Sequence, residues 1–283
     1  MTTIIDTHTH VVSRDRDRFP LKPGVAGSPW YVDMPKDAAD LLAEMDGAGV
    51  HGAILVQAHG PYAFDNAYCA AAREVAPGRF ASVSIIDMTG PDPIGELAHW
   101  AIEGAMGGTR IFHLPPPPEP WLDDPATKPV WDRAVELGLR INVCIAKRDL
   151  PRLARALEWA PAVPVSLDHC GLIEMVGVDG GKDLGPLLDL ARFEQVNLKV
   201  SSYVLDWADD LGETPAGLVR HLADHFGAHR LMWGSDWPQT HNRTYPELVT
   251  RGVDAAERLD GAERDRYLGG TALALWPELA PSR

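Results

Sequence analysis

The sequence has little cysteine. Cys69, Cys144 and Cys170 are odd in number and form no CxxC pair, which excludes a disulfide framework and a thiolate zinc centre and points to a reducing compartment. It also lacks a basic run: 26 Lys and Arg stand against 40 Asp and Glu, a formal charge of −14. Such a chain repels a polyphosphate backbone, so no nucleic-acid partner is expected. No basic, apolar leader precedes Ile4-Ile5-Asp6, and no apolar run reaches membrane-spanning length. The expectation is a cytoplasmic protein without a membrane partner. No Gly/Ser linker or shift of composition divides the chain, so residues 1–283 are read as one domain. No glycine-rich phosphate turn follows the first apolar run, which counts against an open dinucleotide-binding sheet.

What is present is an alternation of short apolar or β-branched runs with longer stretches of helical spacing. Eight runs stand out: Thr3–Asp6, Gly52–Gln57, Phe80–Ile86, Gly108–Phe112, Arg140–Ile145, Val163–Asp168, Val196–Val200 and Arg230–Gly234. Helical patterns follow at Ala38–Ala48, Asp65–Val75, Pro93–Ile102, Pro129–Leu137, Leu150–Trp159, Pro186–Ala191, Pro215–Phe226 and Tyr245–Leu259. Eight βα units predict an α/β fold, a single (β/α)8 TIM barrel, whose site is built by the loops at the C-terminal ends of the strands. The long connections Ser13–Lys36, Leu114–Pro129 with Pro115–Pro118, Gly171–Asp183 and Ser202–Thr214 all follow strand ends, where they would shape a pocket.

Three strand ends carry chemistry. The first reads Asp6-Thr7-His8-Thr9-His10, and a spacing of two puts both imidazoles on one face of a strand, able to meet one cation. The eighth ends Gly234-Ser235-Asp236-Trp237-Pro238, where Asp236 is a base, a ligand or simply a cap of the following turn. The sixth ends Leu167-Asp168-His169-Cys170-Gly171. Strand alternation sends Asp168 and His169 in opposite directions, making His169 the inward candidate and Asp168 a brace for a loop or a histidine. In a closed barrel these three strands converge at one mouth.

The segments DTHTH, LDHCG and MWGSDWP together resemble the amidohydrolase superfamily (amidohydrolase-2), in particular its branch of sugar-acid lactonases and 2-pyrone-4,6-dicarboxylate lactonase-like enzymes. Arg18-Phe19-Pro20, Val56-Gln57, Asp65-Asn66 and Lys199-Val200-Ser201 resemble that branch too, so the likeness runs through most of the chain. It implies an active centre of His8, His10, His169 and Asp236. The fifth strand, Ile141-Asn142-Val143-Cys144-Ile145, departs from the pattern by lacking a histidine or bridging lysine, which argues against two metal ions.

One divalent ion, Zn2+ first and Mn2+ second, on His8, His10 and Asp236 with His169 is the expected cofactor, with metal-independent catalysis by the same residues as the other mechanism. Asp236 is the expected base. Arg110 and Lys199 are expected to bind an acid group of the substrate or, alternatively, to form ion pairs inside the barrel, and Tyr203 is a further pocket residue. His59 and His113 follow strands two and four without a defining pattern. The implied function is hydrolysis of a lactone of a small carboxylic or sugar acid by activated water, the partner being a small anionic lactone-type substrate. A metal-dependent decarboxylase and a non-catalytic binding barrel are the alternatives, and a homo-oligomer stays open.

Overall fold

The computed structural model describes residues 2–22, 29–114, 122–173, 183–210 and 212–280. The proline tract Pro115–Pro118 and most of the connection after the sixth strand lie outside the described residues. The strands are β1 (Ile5–Thr9), β2 (Gly52–Val56), β3 (Phe80–Ile85), β4 (Gly108–Phe112), β5 (Arg140–Cys144), β6 (Val165–Leu167), β7 (Val196–Ser201) and β8 (Leu231–Gly234). They form one parallel sheet in chain order. Beyond the strands, the Asp236 N–H donates to His8 O and the His10 N–H to Trp237 O, both at 2.8 Å, and Thr9 and Trp237 are bridged in parallel. The first and last strands thereby meet, and the architecture is the expected (β/α)8 barrel.

Period-two alternation divides each strand between two cores. On β2, Ala53 and Leu55 belong to the layer packed under the helices, whereas Ile54 and Val56 join Ile5, Val83 and Met232 in a second cluster, closed below by Trp276 and Leu279. In β4, β5 and β7 the residues that alternate with the outer apolar set are polar: Arg110, Asn142 and Lys199, all buried. One side of the barrel interior is therefore apolar and the other polar, and the polar side leads up to the site.

The principal helices are α1 (Ala38–Ala48), α2 (Ala67–Arg73), α3 (Pro93–Ile102), α4 (Lys128–Glu136), α5 (Leu150–Leu157), α6 (Gly185–Leu188), α7 (Ser202–Asp210), α8 (Pro215–Phe226) and α9 (Tyr245–Asp254). Asp37 caps α1 with a reciprocal capping box and Thr214 caps α8, which accounts for the sharp starts that the sequence displays there. Two expectations need correction. The first strand lies later than Thr3–Asp6 and includes His8, because the Thr7 hydroxyl donates to Trp233 O at 2.6 Å and that of Thr9 to Ile54 O at 3.0 Å, which lets polar residues sit between strands. The connection at 202–214 contains α7, whose buried Val204, Leu205, Trp207 and Ala208 follow helical spacing.

On α9, Gly252 lies against the fully buried Trp233 of β8; a Cβ added there would meet the indole Nε1 at 2.1 Å. Gly252→Ala is expected to destabilise the protein by about 1–3 kcal/mol through overpacking. Denaturant unfolding checks this, and an unchanged midpoint would contradict the close seating of α9 on β8.

Candidate active site

His8 of β1 and His10 just beyond its end both face Asp236, as their spacing predicts. The ring of His10 places Nδ1 2.8 Å from Val56 O. A carbonyl only accepts, so Nδ1 carries a hydrogen, and Nε2 faces inward, 3.4 Å from Asp236 Oδ1. His8 repeats the arrangement: Nδ1 lies 3.4 Å from the carboxylate of Asp168, and Nε2 lies 3.7 Å from Asp236 Oδ1. In each case a neighbour stands behind the ring and Nε2 is turned toward Asp236.

His169 and Asp168 both reach the site, against the alternation expected of a strand. β6 ends at Leu167, and the backbone then enters the left-handed region at His169 and Cys170, each with φ of 52°. That turn redirects His169, whose Nδ1 is 2.8 Å from Ser201 Oγ on β7 and whose ring centroid is 4.5 Å from that of His8. Asp236 also has a positive φ, 60°, and its Oδ2 accepts from Thr240 Oγ1 at 2.8 Å. One ligand atom from each of His8, His169 and Asp236 lies within 4.8 Å of the others. The tightest set is thus these three, with His10 beside Asp236.

Charges are distributed with care for burial. Burial pushes His8 well below the ordinary histidine range and lowers His169 as well, so both rings are neutral, the state that binds metal. For Asp236 burial acts upward, but the hydrogen bond from His10 and the neighbouring His169 and His8 outweigh it and hold the carboxyl well below its usual range. Asp168, fully buried, is likewise held down against burial by Lys199, His8 and Arg110.

Arg110 Nε donates to Asp168 Oδ2 at 2.8 Å, and Lys199 Nζ is 3.1 Å from Oδ1. The internal ion pairs weighed from the sequence are therefore present, with Asp168 as their shared anion. Tyr203 is 37% exposed, its ring 6.2 Å from His169. His59 stacks on Phe112 at 4.5 Å, and Arg110 lies over the same ring at 5.0 Å. Asp168 is the group that sequence reasoning undervalued; its signal was the adjacent Asp-His pair at a strand end.

The donor set fits one divalent cation. Ligand atoms of two buried imidazoles and of an ionised carboxylate lie within 4.8 Å of one another, a set whose lone pairs a cation would accept, and two nitrogens plus one oxygen leave coordination positions open. Among the described residues no second group of three ligands occurs.

Removing the shared anion isolates two buried cations. Asp168→Asn is expected to cost on the order of 3 kcal/mol of stability in urea unfolding at neutral pH. Unchanged stability would show that Arg110 and Lys199 do not depend on it.

Residues 5–277 match the family model described as amidohydrolase. The chain is 27% identical over 286 residues to L-fucono-1,5-lactonase of Burkholderia ambifaria, covering 96% of this chain and 94% of that protein. Among solved structures it resembles a protein proposed to be a 2-pyrone-4,6-dicarboxylic acid hydrolase from Pseudomonas putida, with a TM-score of 0.76, 25% identity and coverage of 99% and 100%. An amidohydrolase from Burkholderia multivorans with bound zinc shares the fold at a TM-score of 0.76, 24% identity and coverage of 97% and 99%. With the whole barrel matched, the chain belongs to the amidohydrolase family.

Proposed function

We propose that the protein, acting as one domain of residues 1–283, is a lactonase that opens the cyclic ester of a small carboxylic or sugar acid. The observation that carries this reading is the clustering of His8, His169 and Asp236 at the ends of their strands, with His10 beside Asp236. The names of the relatives, a sugar-acid lactonase and a pyrone-dicarboxylate hydrolase, agree with it.

In this reading Asp236 accepts the proton of the attacking water. Its Oδ1 lies among the imidazoles, while Oδ2 is held by Thr240, so the base is fixed in orientation before substrate arrives. His8 and His169, neutral and buried, would hold a divalent ion together with Asp236, Zn2+ first and Mn2+ second; such an ion would supply Lewis acidity toward the acyl carbonyl and toward water. The metal-free mechanism needs the histidines to donate hydrogen bonds to the carbonyl. The clustering of one ligand atom each from His8, His169 and Asp236 within 4.8 Å favours the metal-dependent reading.

Arg110 uses Nε on Asp168 and retains its other N–H groups for a substrate carboxylate. Lys199, 1% exposed and beside Asp168, acts through that residue rather than by direct contact. Tyr203 supplies a phenol at the rim. None of the three buried cysteines forms a disulfide among the described residues, which fits a cytoplasmic, reducing location, and no helix of the described residues is long and apolar enough to cross a membrane.

The test is turnover of a panel of aldonolactones and pyrone dicarboxylates, with acid release scored separately from carbon dioxide release. Asp236→Asn is expected to lower turnover on the order of 10²-fold or more with the fold intact, compared at equal metal occupancy. Near-wild-type turnover by the folded variant would remove Asp236 from its role, and carbon dioxide as the product would replace the lactonase with a decarboxylase.

A further inference from the structure

Asp6 lies on β1, two residues before His8, and is fully buried. One of its carboxylate oxygens, Oδ1, accepts two backbone hydrogens: that of His8 at 3.2 Å and that of Ser235, the neighbour of Asp236, at 2.8 Å. The other, Oδ2, accepts from the Tyr245 hydroxyl at 3.1 Å. Tyr245 is the first residue of α9 and is itself 1% exposed.

These bonds close a ring around the two functional side chains. His8 presents its carbonyl to the Asp236 N–H at 2.8 Å and its own N–H to Asp6, while Asp6 receives the N–H of Ser235. The register between β1 and β2 slips between Asp6 and Thr9, so the His8 N–H needs an acceptor outside the regular ladder. The two strands are also pressed together: a Cβ added at Gly234 would meet His8 Cβ at 2.9 Å and His8 N at 3.0 Å.

We infer that Asp6 is a positioning residue that fixes the separation of His8 from Asp236 by holding both backbones on a single carboxylate oxygen, with Tyr245 holding the carboxylate in place from α9. No Lys or Arg of the described residues neutralises it. A buried carboxylate with no cation is costly to keep, and its partners here are the main chain beside the two functional residues and the hydroxyls of Ser235 and Tyr245 rather than a stabilising ion pair. The inference deepens the lactonase reading and rests on it for its kinetic consequence, but its geometric content is independent of any activity.

The experiment compares Asp6→Ala, Asp6→Asn and Tyr245→Phe by crystallography and by kinetics on the best lactone of the panel. In Asp6→Ala the separation of His8 Nε2 from Asp236 Oδ1, 3.7 Å in the native protein, is expected to widen, with kcat falling about 10–100-fold and KM changing little, the scale set by misplacement of a reacting group by about 1 Å. Asparagine retains an acceptor at the same position, so Asp6→Asn is expected to restore the native separation and kcat to within about threefold. Tyr245→Phe, which leaves the Oδ1 bonds in place, falls between the two and keeps the question decidable should Asp6→Ala fail to fold. Native separation in folded Asp6→Ala, or an Asp6→Asn protein as impaired as Asp6→Ala, overturns the inference. If the wild-type protein opens no lactone, the lactonase reading fails, and the separations in the variant structures still decide the role of Asp6.

Discussion

The meeting of β1 with β8 is the contact on which the rest of the structure depends. The same two backbone hydrogen bonds, Asp236 to His8 and His10 to Trp237, close the barrel and set the histidine pair opposite the carboxylate. Closure and site assembly are therefore one event. A barrel left open between its first and last strands would keep every helix and most of its apolar burial, and would hold no site. The close approach at Gly234 and the seating of Trp233 under Gly252 belong to the same requirement, because each brings β8 nearer to a neighbour than a side chain would allow.

Around that seam the protein places charge in a low-dielectric interior, and Asp168 makes this tolerable. It pairs with Arg110 and Lys199 and stands behind His8, so one carboxylate serves two buried basic side chains and a histidine ring. The result is a centre in which the neutral imidazoles of His8 and His169 face an ionised Asp236. Such a centre cannot be relaxed piece by piece, since loss of any member leaves another buried and uncompensated.

The barrel was legible because period-two apolar runs alternate with helical spacing eight times, and the bounds of α1, α3 and α8 are marked by caps and prolines that act locally. The His8, His10 and Asp236 constellation was legible for the same reason: strand ends of a barrel share one rim. Less legible were features decided by contacts distant in sequence. The extension of β1 through Thr7 and Thr9 depends on carbonyls of β8 and β2, and the joint approach of Asp168 and His169 depends on a left-handed turn at non-glycine residues, which no local preference announces. The settings of the His8 and His10 rings depend on Asp168 and Val56, neither of which any spacing rule connects to them.

The central claim is that the lone pairs of His8 and His169 and the carboxylate of Asp236 make a site for a single divalent ion. Titration of chelated, metal-free protein with Zn2+, read as bound metal per chain by elemental analysis, tests it most directly. The account predicts saturation at about one ion per chain, abolished in folded His169→Ala protein. Saturation at two ions, or no retention of zinc by the intact protein, would contradict it.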